Sequence, residues 1–274
     1  MKIDELISPL DNRYSLKIKD LANNFSESNL NKIRFEIEIE WLIFLCTHGG
    51  KTFKPLSASA KNNLFKIKNS FNLKSSKRIK SIESRTNHDV KAVEYFIREE
   101  MKRFPNLSKY EYLVHYALTS EDINSLSYAV LIGKAKDIYL KKLDILIKDL
   151  RSKSRSWASL PLLARTHGQA ASPTTLGKEF KVFHYRISKQ LQHLKNINYY
   201  GKLGGASGNL NAHYAAYPDY NWDKLMEQFL LQFSLKRNKF TTQIDNYENL
   251  SLIFDNLKRI NTIFIDMNKD IWQY

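Results

Sequence analysis

The sequence predicts an all-α fold in which long helices pack side by side. Apolar residues recur at helical spacing along most of the chain, and the alternation typical of strands is scarce. From about Glu121 to Trp157 the chain contains no proline and a single glycine, Gly133. At about 1.5 Å per residue, such a helix would be on the order of 50 Å long. Its apolar side must therefore be covered by other long helices, from this chain or from neighbouring chains.

Capping and helix-breaking residues in the sequence predict where the other helices begin and end. One is expected to start after Ser26, whose hydroxyl suits an N-cap, and to end at Gly49 and Gly50. The glycine-rich segment "GKLGGASGN" interrupts the helical pattern. Further helices are expected over residues 90–104, 176–199 and 222–233.

The last predicted helix begins near Glu248 and reaches Tyr274. Its apolar side is expected to comprise Leu252, Leu257, Ile260, Phe264, Met267, Ile271 and Trp272. No glycine, proline or polar tail ends it, so we expect the helix to continue beyond the sequence.

Composition and charge restrict the class of protein. The hydrophobic fraction is 43%, and no apolar run approaches the roughly 18 residues that a membrane span needs. The N-terminal segment has an acid at Asp4 and lacks the long apolar core of a signal peptide. The single cysteine, Cys46, excludes an internal disulfide and is expected to be a buried helix residue. These features predict a cytoplasmic protein.

The net charge of +15 is compatible with nucleic acid, anionic lipid or an acidic small substrate. The basic residues are spread along the chain rather than gathered in one arm, which favours solvated helix faces. The sequence has no basic segment interleaved with aromatic residues, which is the pattern that would indicate an RNA-binding motif. A basic RNA-binding module therefore stays a minor alternative.

Two polar segments in the first hundred residues interrupt the helices. "SPLDNRYS" carries Arg13 and Tyr14 and is typical of a turn. In "ESRTNHDVKAVEYF", Asn87 or Asp89 suits an N-cap, and His88 lies at the start of the following helix. Free backbone N–H groups at such a start hold carboxylates or phosphates, so His88 is either a polar surface residue or part of an anion site.

Two more polar segments flank the longest helix. In "HYALTSEDINSLS", Thr119 and Asp122 fit a capping box, and the hydroxyls of Thr119 and Ser120 form a second possible anion seat. "SLPLLARTHGQAASPTT" places His167 in a polar turn beside Gln169. The sequence has no His-x-x-x-His or cysteine pair near His167 for a metal, and no serine-hydrolase or phosphate-loop motif.

Taken in order, four motifs resemble one family. "RTNHDVKAVEY", "LTSEDIN", "RTHGQAASPTTLGKE" and "TTQID" are similar to the bacterial branch of the adenylosuccinate lyases, within the fumarase/aspartase superfamily. The resemblance runs from about residue 8 to the last residue. It implies the superfamily's long-helix bundle, with a smaller N-terminal helical domain over 1–117 and a central bundle domain, incomplete at its C-terminal end, over 118–274.

The resemblance implies a β-elimination in purine nucleotide biosynthesis. The family releases fumarate from adenylosuccinate, giving AMP, and from the succinyl-carboxamide ribotide intermediate, giving AICAR. A base removes a proton from the carbon next to a carboxylate, and a general acid protonates the departing nitrogen. No cofactor and no metal are implied, because the substrate's own carboxylate accepts the electrons.

Motif matches imply a role for each candidate residue. His167 is the implied general acid, because an imidazole with a pKa of about 6.5 can hold and release a proton at neutral pH. His88, with Asn87 and Asp89 beside it, would meet anionic groups of the substrate and assist at the leaving nitrogen. The other implied substrate contacts are Thr119 and Ser120 for a succinyl carboxylate, Arg13 and Tyr14 for the nucleotide end, and Gln243 near the scissile bond.

The resemblance also implies a homotetramer in which each active site uses segments of three chains. The family's serine-bearing loop, which supplies the base, would follow the last helix and is not in this sequence. We therefore expect the 274-residue polypeptide by itself to show little or no lyase activity. A non-catalytic helical remnant that only oligomerises is the alternative hypothesis.

Overall fold

The computed structural model describes residues 8–50 and 52–273. Most of these residues are helical, which confirms the all-α prediction. The α-helices of the described residues are α1 (Lys19–Phe25), α2 (Glu27–His48), α3 (Ala58–Asn69), α4 (Leu73–Thr86), α5 (Asp89–Met101), α6 (Ser120–Ser156), α7 (Leu176–Asn196), α8 (Asn211–Ala216), α9 (Trp222–Leu231) and α10 (Glu248–Gln273). Within the described ranges, no helix combines the length and the apolar character needed to cross a bilayer.

Short 3₁₀ helices and strands connect these helices. In the described part of the chain, 3₁₀ helices cover Pro9–Asp11 and Pro105–Leu113. The strands found within residues 8–50 and 52–273 are β1 (Pro161–Thr166), β2 (Gln169–Thr175), β3 (Tyr200–Lys202) and β4 (Lys236–Asn238). β1 pairs antiparallel with β2, and β3 pairs parallel with β4.

The chain divides into two compact units. The first comprises Met1–Ala135 and Tyr199–Asn246, and the second Lys136–Asn198 and Tyr247–Tyr274. The predicted boundary between domains 1–117 and 118–274 falls inside the first unit and stays a prediction. The signal-peptide argument rests partly on residues 1–7, and the final helix was predicted to reach Tyr274; these residues lie outside the described part of the chain.

Helix boundaries follow the capping signals in the sequence. Ser26 is the N-cap of α2, and its Oγ accepts the Asn29 N–H at 3.3 Å. Gly49 closes the same helix, as predicted. α7 begins after Thr175, whose Oγ1 accepts the Lys178 N–H at 3.2 Å. It ends at Asn196, a few residues earlier than predicted, because the chain becomes extended before β3.

The core of the first unit surrounds α2, which is buried on nearly every side. Trp41 of α2 meets Phe229 of α9 edge to face, with ring centroids 5.1 Å apart. Cys46 is buried, as predicted, and burial raises the pKa of its thiol to about 11. A thiol with so high a pKa stays protonated near neutral pH and is therefore unreactive there.

The second unit packs α10 against α7 along one row of residues. The buried row recurs every three or four positions and consists of Ile253, Asn256, Ile260, Ile263 and Met267. The Asn256 amide donates to Oε1 of Gln190 on α7 at 3.2 Å. The predicted apolar side was wrong in part, because Leu252 and Trp272 are 52% and 90% exposed. α10 carries apolar residues on more than one side, so spacing alone left the buried row ambiguous.

Candidate functional site

The junction between α4 and α5 holds the first candidate histidine. Asn87 adopts a left-handed conformation (φ 49°) and ends α4 through its N–H to the Glu83 carbonyl. His88 is the N-cap of α5, and its Nδ1 accepts the Lys91 N–H at 3.2 Å. The sequence predicted Asn87 or Asp89 as this cap, which was wrong. Because Nδ1 accepts a hydrogen bond, the neutral ring carries its proton on Nε2.

Asp89 is the first residue of α5, and its carboxylate has two partners within the first unit. Its Oδ1 accepts the Val90 N–H at 2.8 Å, and its Oδ2 lies 2.7 Å from the guanidinium of Arg34. Arg34 is buried in α2. The ion pair therefore ties the start of α5 to the central helix, and it orients the segment that carries His88.

The start of α6 faces His88. The Thr119 N–H donates to Oδ2 of Asp122 at 2.9 Å, which is one half of the predicted capping box. Oγ of Ser120, the first residue of α6, lies 3.4 Å from Nε2 of His88. The structure therefore brings His88 and Ser120 together at the N-terminal ends of two helices.

A buried ion pair lies beneath the start of α6. Asp122 and Lys202 are both 0% exposed, and Nζ of Lys202 lies 2.7 Å from Oδ1 of Asp122. The same Nζ donates to the Gly205 carbonyl at 2.6 Å, and the N–H groups of Gly204 and Gly205 donate to the Asp122 carboxylate. This cluster fixes the turn of α6 that presents Thr119 and Ser120.

His115 anchors the loop before α6. Its Nδ1 lies 2.6 Å from Oε1 of Glu38, and its N–H donates to Oε2 of the same carboxylate at 3.1 Å. Its Nε2 is 3.8 Å from Oε1 of Glu94, a buried residue of α5. Burial lowers the pKa of His115, but the charge of Glu38, the hydrogen bond to it and the charge of Glu94 outweigh this effect. The pKa of His115 is therefore raised above 6.5.

His167 occupies the tip of a β-hairpin in the second unit. Residues 159–175 were predicted as a polar turn, but most of them form β1 and β2, with Thr166 paired to Gln169. His167 and Gly168 form the two-residue connection and have φ values of 51° and 74°. Two positive φ values are the mark of a type I′ turn, whose twist matches the flanking strands. The imidazole is consequently held outward, exposed to solvent, on a short and defined connection.

The remaining candidates lie in the first unit. Arg13 and Tyr14 follow the 3₁₀ segment Pro9–Asp11, and the Arg13 guanidinium lies 5.4 Å from the Tyr14 ring centroid. Gln243 is exposed in the segment between β4 and α10. Among the described residues, these three make no hydrogen bond or ion pair with His88 or Ser120.

Several residues that shape this region were missed by sequence reasoning. Lys202, His115 and Asp245 are polar residues whose partners lie far away in the chain. His115 and Asp245 stand inside the quoted motifs "HYALTSEDINSLS" and "TTQID", which was the available signal. Lys202 is flanked by glycines and apolar residues and gives no local sign of a buried ion pair.

Solved structures share the fold at low sequence identity. A fumarate lyase from Mesorhizobium superimposes with a TM-score of 0.73 at 14% identity, covering 92% of this chain and 56% of that one. A β-carboxy-cis,cis-muconate cycloisomerase from Acinetobacter calcoaceticus gives a TM-score of 0.75 at 17% identity, covering 93% and 57%. These likenesses show that the fold is shared and carry no information on substrate.

Relatives of known name are much closer in sequence. The chain is 41% identical over 270 residues to adenylosuccinate lyase of Escherichia coli and 42% identical to that of Haemophilus influenzae. The enzyme of the same name from Dictyostelium discoideum is 42% identical over 278 residues. Each comparison covers 98% of this chain and 59% of the relative, so the chain spans about three fifths of their length.

A family profile described as "Lyase" matches residues 12–274. This match takes in all four polar segments apart from the first residues of "SPLDNRYS". Since the profile covers far more than half of the sequence, the chain belongs to this lyase family.

Proposed function

We propose that this chain supplies the substrate-binding and proton-donating parts of an adenylosuccinate lyase. The observation that carries the proposal is the 41% identity, over 98% of the chain, to a relative of that name. The reaction is β-elimination of fumarate from adenylosuccinate or from the succinyl-carboxamide ribotide, giving AMP or AICAR. C–N bond cleavage is the chemistry that the candidate residues suit best.

The contact between His88 and Ser120 supports an anion seat. The N-terminal ends of α5 and α6 carry a partial positive charge, which favours carboxylates. Thr119 and Ser120 add hydroxyl donors at one end, and Nε2 of His88 lies 3.4 Å from Oγ of Ser120. In this proposal a carboxylate of the succinyl arm displaces that contact and accepts both donors.

His167 is proposed as the general acid. As the C–N bond breaks, its electron pair passes to nitrogen, and the imidazolium of His167 gives that nitrogen a proton. The type I′ turn holds the ring on a connection of only two residues, and its exposure leaves it accessible to a substrate. Asn87, Asp89, Arg13, Tyr14 and Gln243 keep the substrate contacts that the resemblance implies, as part of the proposal.

A homotetramer is the proposed assembly. The second unit exposes large apolar side chains of α10, among them Phe254, Ile265 and Trp272 at 51%, 57% and 90%. Such residues on one long helix are typical of a surface that another chain covers. We further propose that the protein is cytoplasmic and that each site uses residues from several protomers.

A chimeric enzyme tests this proposal. In the chimera, this chain replaces the aligned segment of the Escherichia coli relative, which supplies the remaining two fifths of its own length. Fumarate release from adenylosuccinate is then measured for the chimera, for its His167→Ala variant and for a His193→Ala control. His193 is an exposed histidine of α7.

The expected result separates the two histidines. Loss of a positioned general acid should lower turnover by about 10²–10⁴-fold in His167→Ala, while His193→Ala should match the parent chimera. Unchanged turnover in His167→Ala would remove this residue from the mechanism. A tetrameric chimera without turnover would support the oligomerising remnant, and the 274-residue chain assayed in parallel tests the expectation that it has little activity alone.

A further inference from the structure

The segment that carries Gln243 is a short loop held at both ends. It comprises residues 241–245, hereafter the Gln243 loop, and lies within the connection between β4 and α10. Gln243 and Ile244 are exposed, whereas Asp245 is 8% exposed. A loop with fixed ends and an exposed middle presents its central side chain in a defined position.

The first fixed end rests against the backbone of Gly208. A Cβ atom at residue 208 would lie 2.0 Å from the Thr241 carbonyl oxygen and 2.8 Å from that of Thr242. Both distances are shorter than any that real Cβ atoms make, and both involve backbone atoms that cannot rotate away. Only a glycine hydrogen fits between this turn and the loop.

The second fixed end is the buried carboxylate of Asp245. Oγ of Ser125 on α6 donates to its Oδ2 at 2.5 Å, and Nδ2 of Asn238 donates to its Oδ1 at 2.8 Å. The Lys202 N–H donates to the same Ser125 oxygen at 2.8 Å. The loop is thereby tied to the turn of α6 that follows Ser120. Through that turn it is connected to the proposed anion seat at His88, Thr119 and Ser120.

We infer that Gly208 is a positioning residue for Gln243: the close approach of its backbone to Thr241 and Thr242, together with the Asp245 anchor, sets where the Gln243 amide points. Any side chain at residue 208 pushes the near end of the loop away while Asp245 holds the far end. The amide of Gln243 then moves relative to the start of α6. This positioning requires no ligand, and only its consequence for catalysis rests on the proposed function.

A matched glycine separates this role from ordinary backbone strain. Gly208 and Gly205 have φ values of +82° and +73°, so alanine pays a similar conformational cost at either position. A Cβ at Gly205, however, would meet nothing closer than the Ala117 carbonyl at 3.5 Å, which is ordinary contact. Gly205→Ala therefore keeps the strain and removes the collision.

Amide hydrogen exchange of the full chain tests the positioning directly. We expect exchange in a peptide covering residues 239–246 to be at least about ten-fold faster in Gly208→Ala than in wild type or Gly205→Ala, because loosened loops open more often. Equal exchange in the two variants would overturn the inference. If Gly208→Ala does not fold by circular dichroism, Asp245→Asn takes its place, since weakening the other anchor should loosen the same peptide, and wild-type exchange in that variant would also overturn it.

Turnover in the chimera tests the consequence. Gly208→Ala should lower fumarate release in the parent chimera, but should have little further effect in a Gln243→Ala background, because the residue it positions is gone. Equal losses in both backgrounds would contradict action through Gln243. If no chimera cleaves adenylosuccinate, the proposed function fails while the exchange result still decides the role of Gly208.

Discussion

The buried pair between Lys202 and Asp122 gives the strongest prediction about stability. Replacing Lys202 by methionine keeps the length and apolar stem of the side chain but removes its charge. Asp122, which is 0% exposed, then lacks the cation 2.7 Å from its Oδ1. The Gly205 carbonyl loses its ammonium donor at the same time.

The expected loss of stability depends on which hydrogen bonds Asp122 and the Gly205 carbonyl keep after the substitution. Breaking a buried ion pair by removing one partner costs about 3–5 kcal/mol, since the remaining charge is uncompensated. Asp122 still accepts N–H bonds from Thr119, Gly204 and Gly205, which moderates this cost. The Gly205 carbonyl still accepts the Gly208 N–H at 3.3 Å, so the loss of its ammonium donor adds only about 0.5–1.5 kcal/mol. We therefore expect Lys202→Met to lower the free energy of unfolding by about 3–5 kcal/mol, a large part of the total of a typical domain.

Urea unfolding at about pH 7, followed by tryptophan fluorescence, measures this loss. Lys80→Met is the matched control, because Nζ of Lys80 lies 2.6 Å from Oε1 of Glu27 but the two side chains are 42% and 63% exposed. An exposed pair contributes about 0–1 kcal/mol. Equal losses in the two variants, or a loss below about 1 kcal/mol in Lys202→Met, would refute the reasoning from burial.

The buried His213 and the partly buried His115 should make stability respond to pH in opposite directions. Burial, opposed by Asp122 and reinforced by Arg237, lowers the pKa of His213 to about 4. Since the unfolded imidazole titrates near 6.5, stability falls as the pH drops, by about 2 kcal/mol between about pH 7 and pH 5. In urea unfolding, the stability of His213→Leu should depend less on pH than that of wild type. The same pH dependence in both proteins would contradict the lowered pKa of His213. The pKa of His115 is raised, so its effect on stability is the opposite. Its contribution to the free energy of unfolding is complete below about pH 6.5 and is lost as the pH rises through its pKa in the folded protein. His115→Gln should consequently cost more at about pH 6 than at about pH 9, and equal costs at both would show that the ring is not held charged between Glu38 and Glu94.

Local sequence patterns were sufficient for most of the helices. The Ser26 cap and Gly49 bound α2, and the Thr119–Asp122 spacing marks the start of α6. Each is a signal within a few residues, and each acts on backbone groups that would otherwise lack partners. Such boundaries do not depend on the rest of the fold, so one sequence is enough to predict them.

The hairpin that carries His167 could not be predicted in the same way. Both faces of β1 and β2 are largely exposed, so the strands lack the alternation by which a half-buried strand is recognised. Their register comes from the two-residue turn at His167 and Gly168. A positive φ is uncommon for any residue other than glycine, and the sequence therefore suggested a turn without the strands around it.

Long-range polar contacts are the other part that the sequence leaves open. Asp122 and Lys202 are 80 residues apart, and Ser125 and Asp245 are 120 apart. Each pair forms only after the chain has folded, and no local spacing relates the partners. Contacts of this kind hold Ser120 and Gln243 in place. The sequence motifs predicted both residues as substrate contacts but did not predict the long-range contacts that position them.

Mixing two inactive variants tests the central claim, a site shared between protomers, most directly. His88→Ala and His167→Ala forms of the chimera are unfolded, mixed in equal amounts and refolded together, and fumarate release is measured. If each site takes residue 88 from one protomer and residue 167 from another, about a quarter of the sites recover both histidines, and turnover should return to about a quarter of that of the parent chimera. A mixture that forms tetramers yet stays as inactive as its two components would contradict the account.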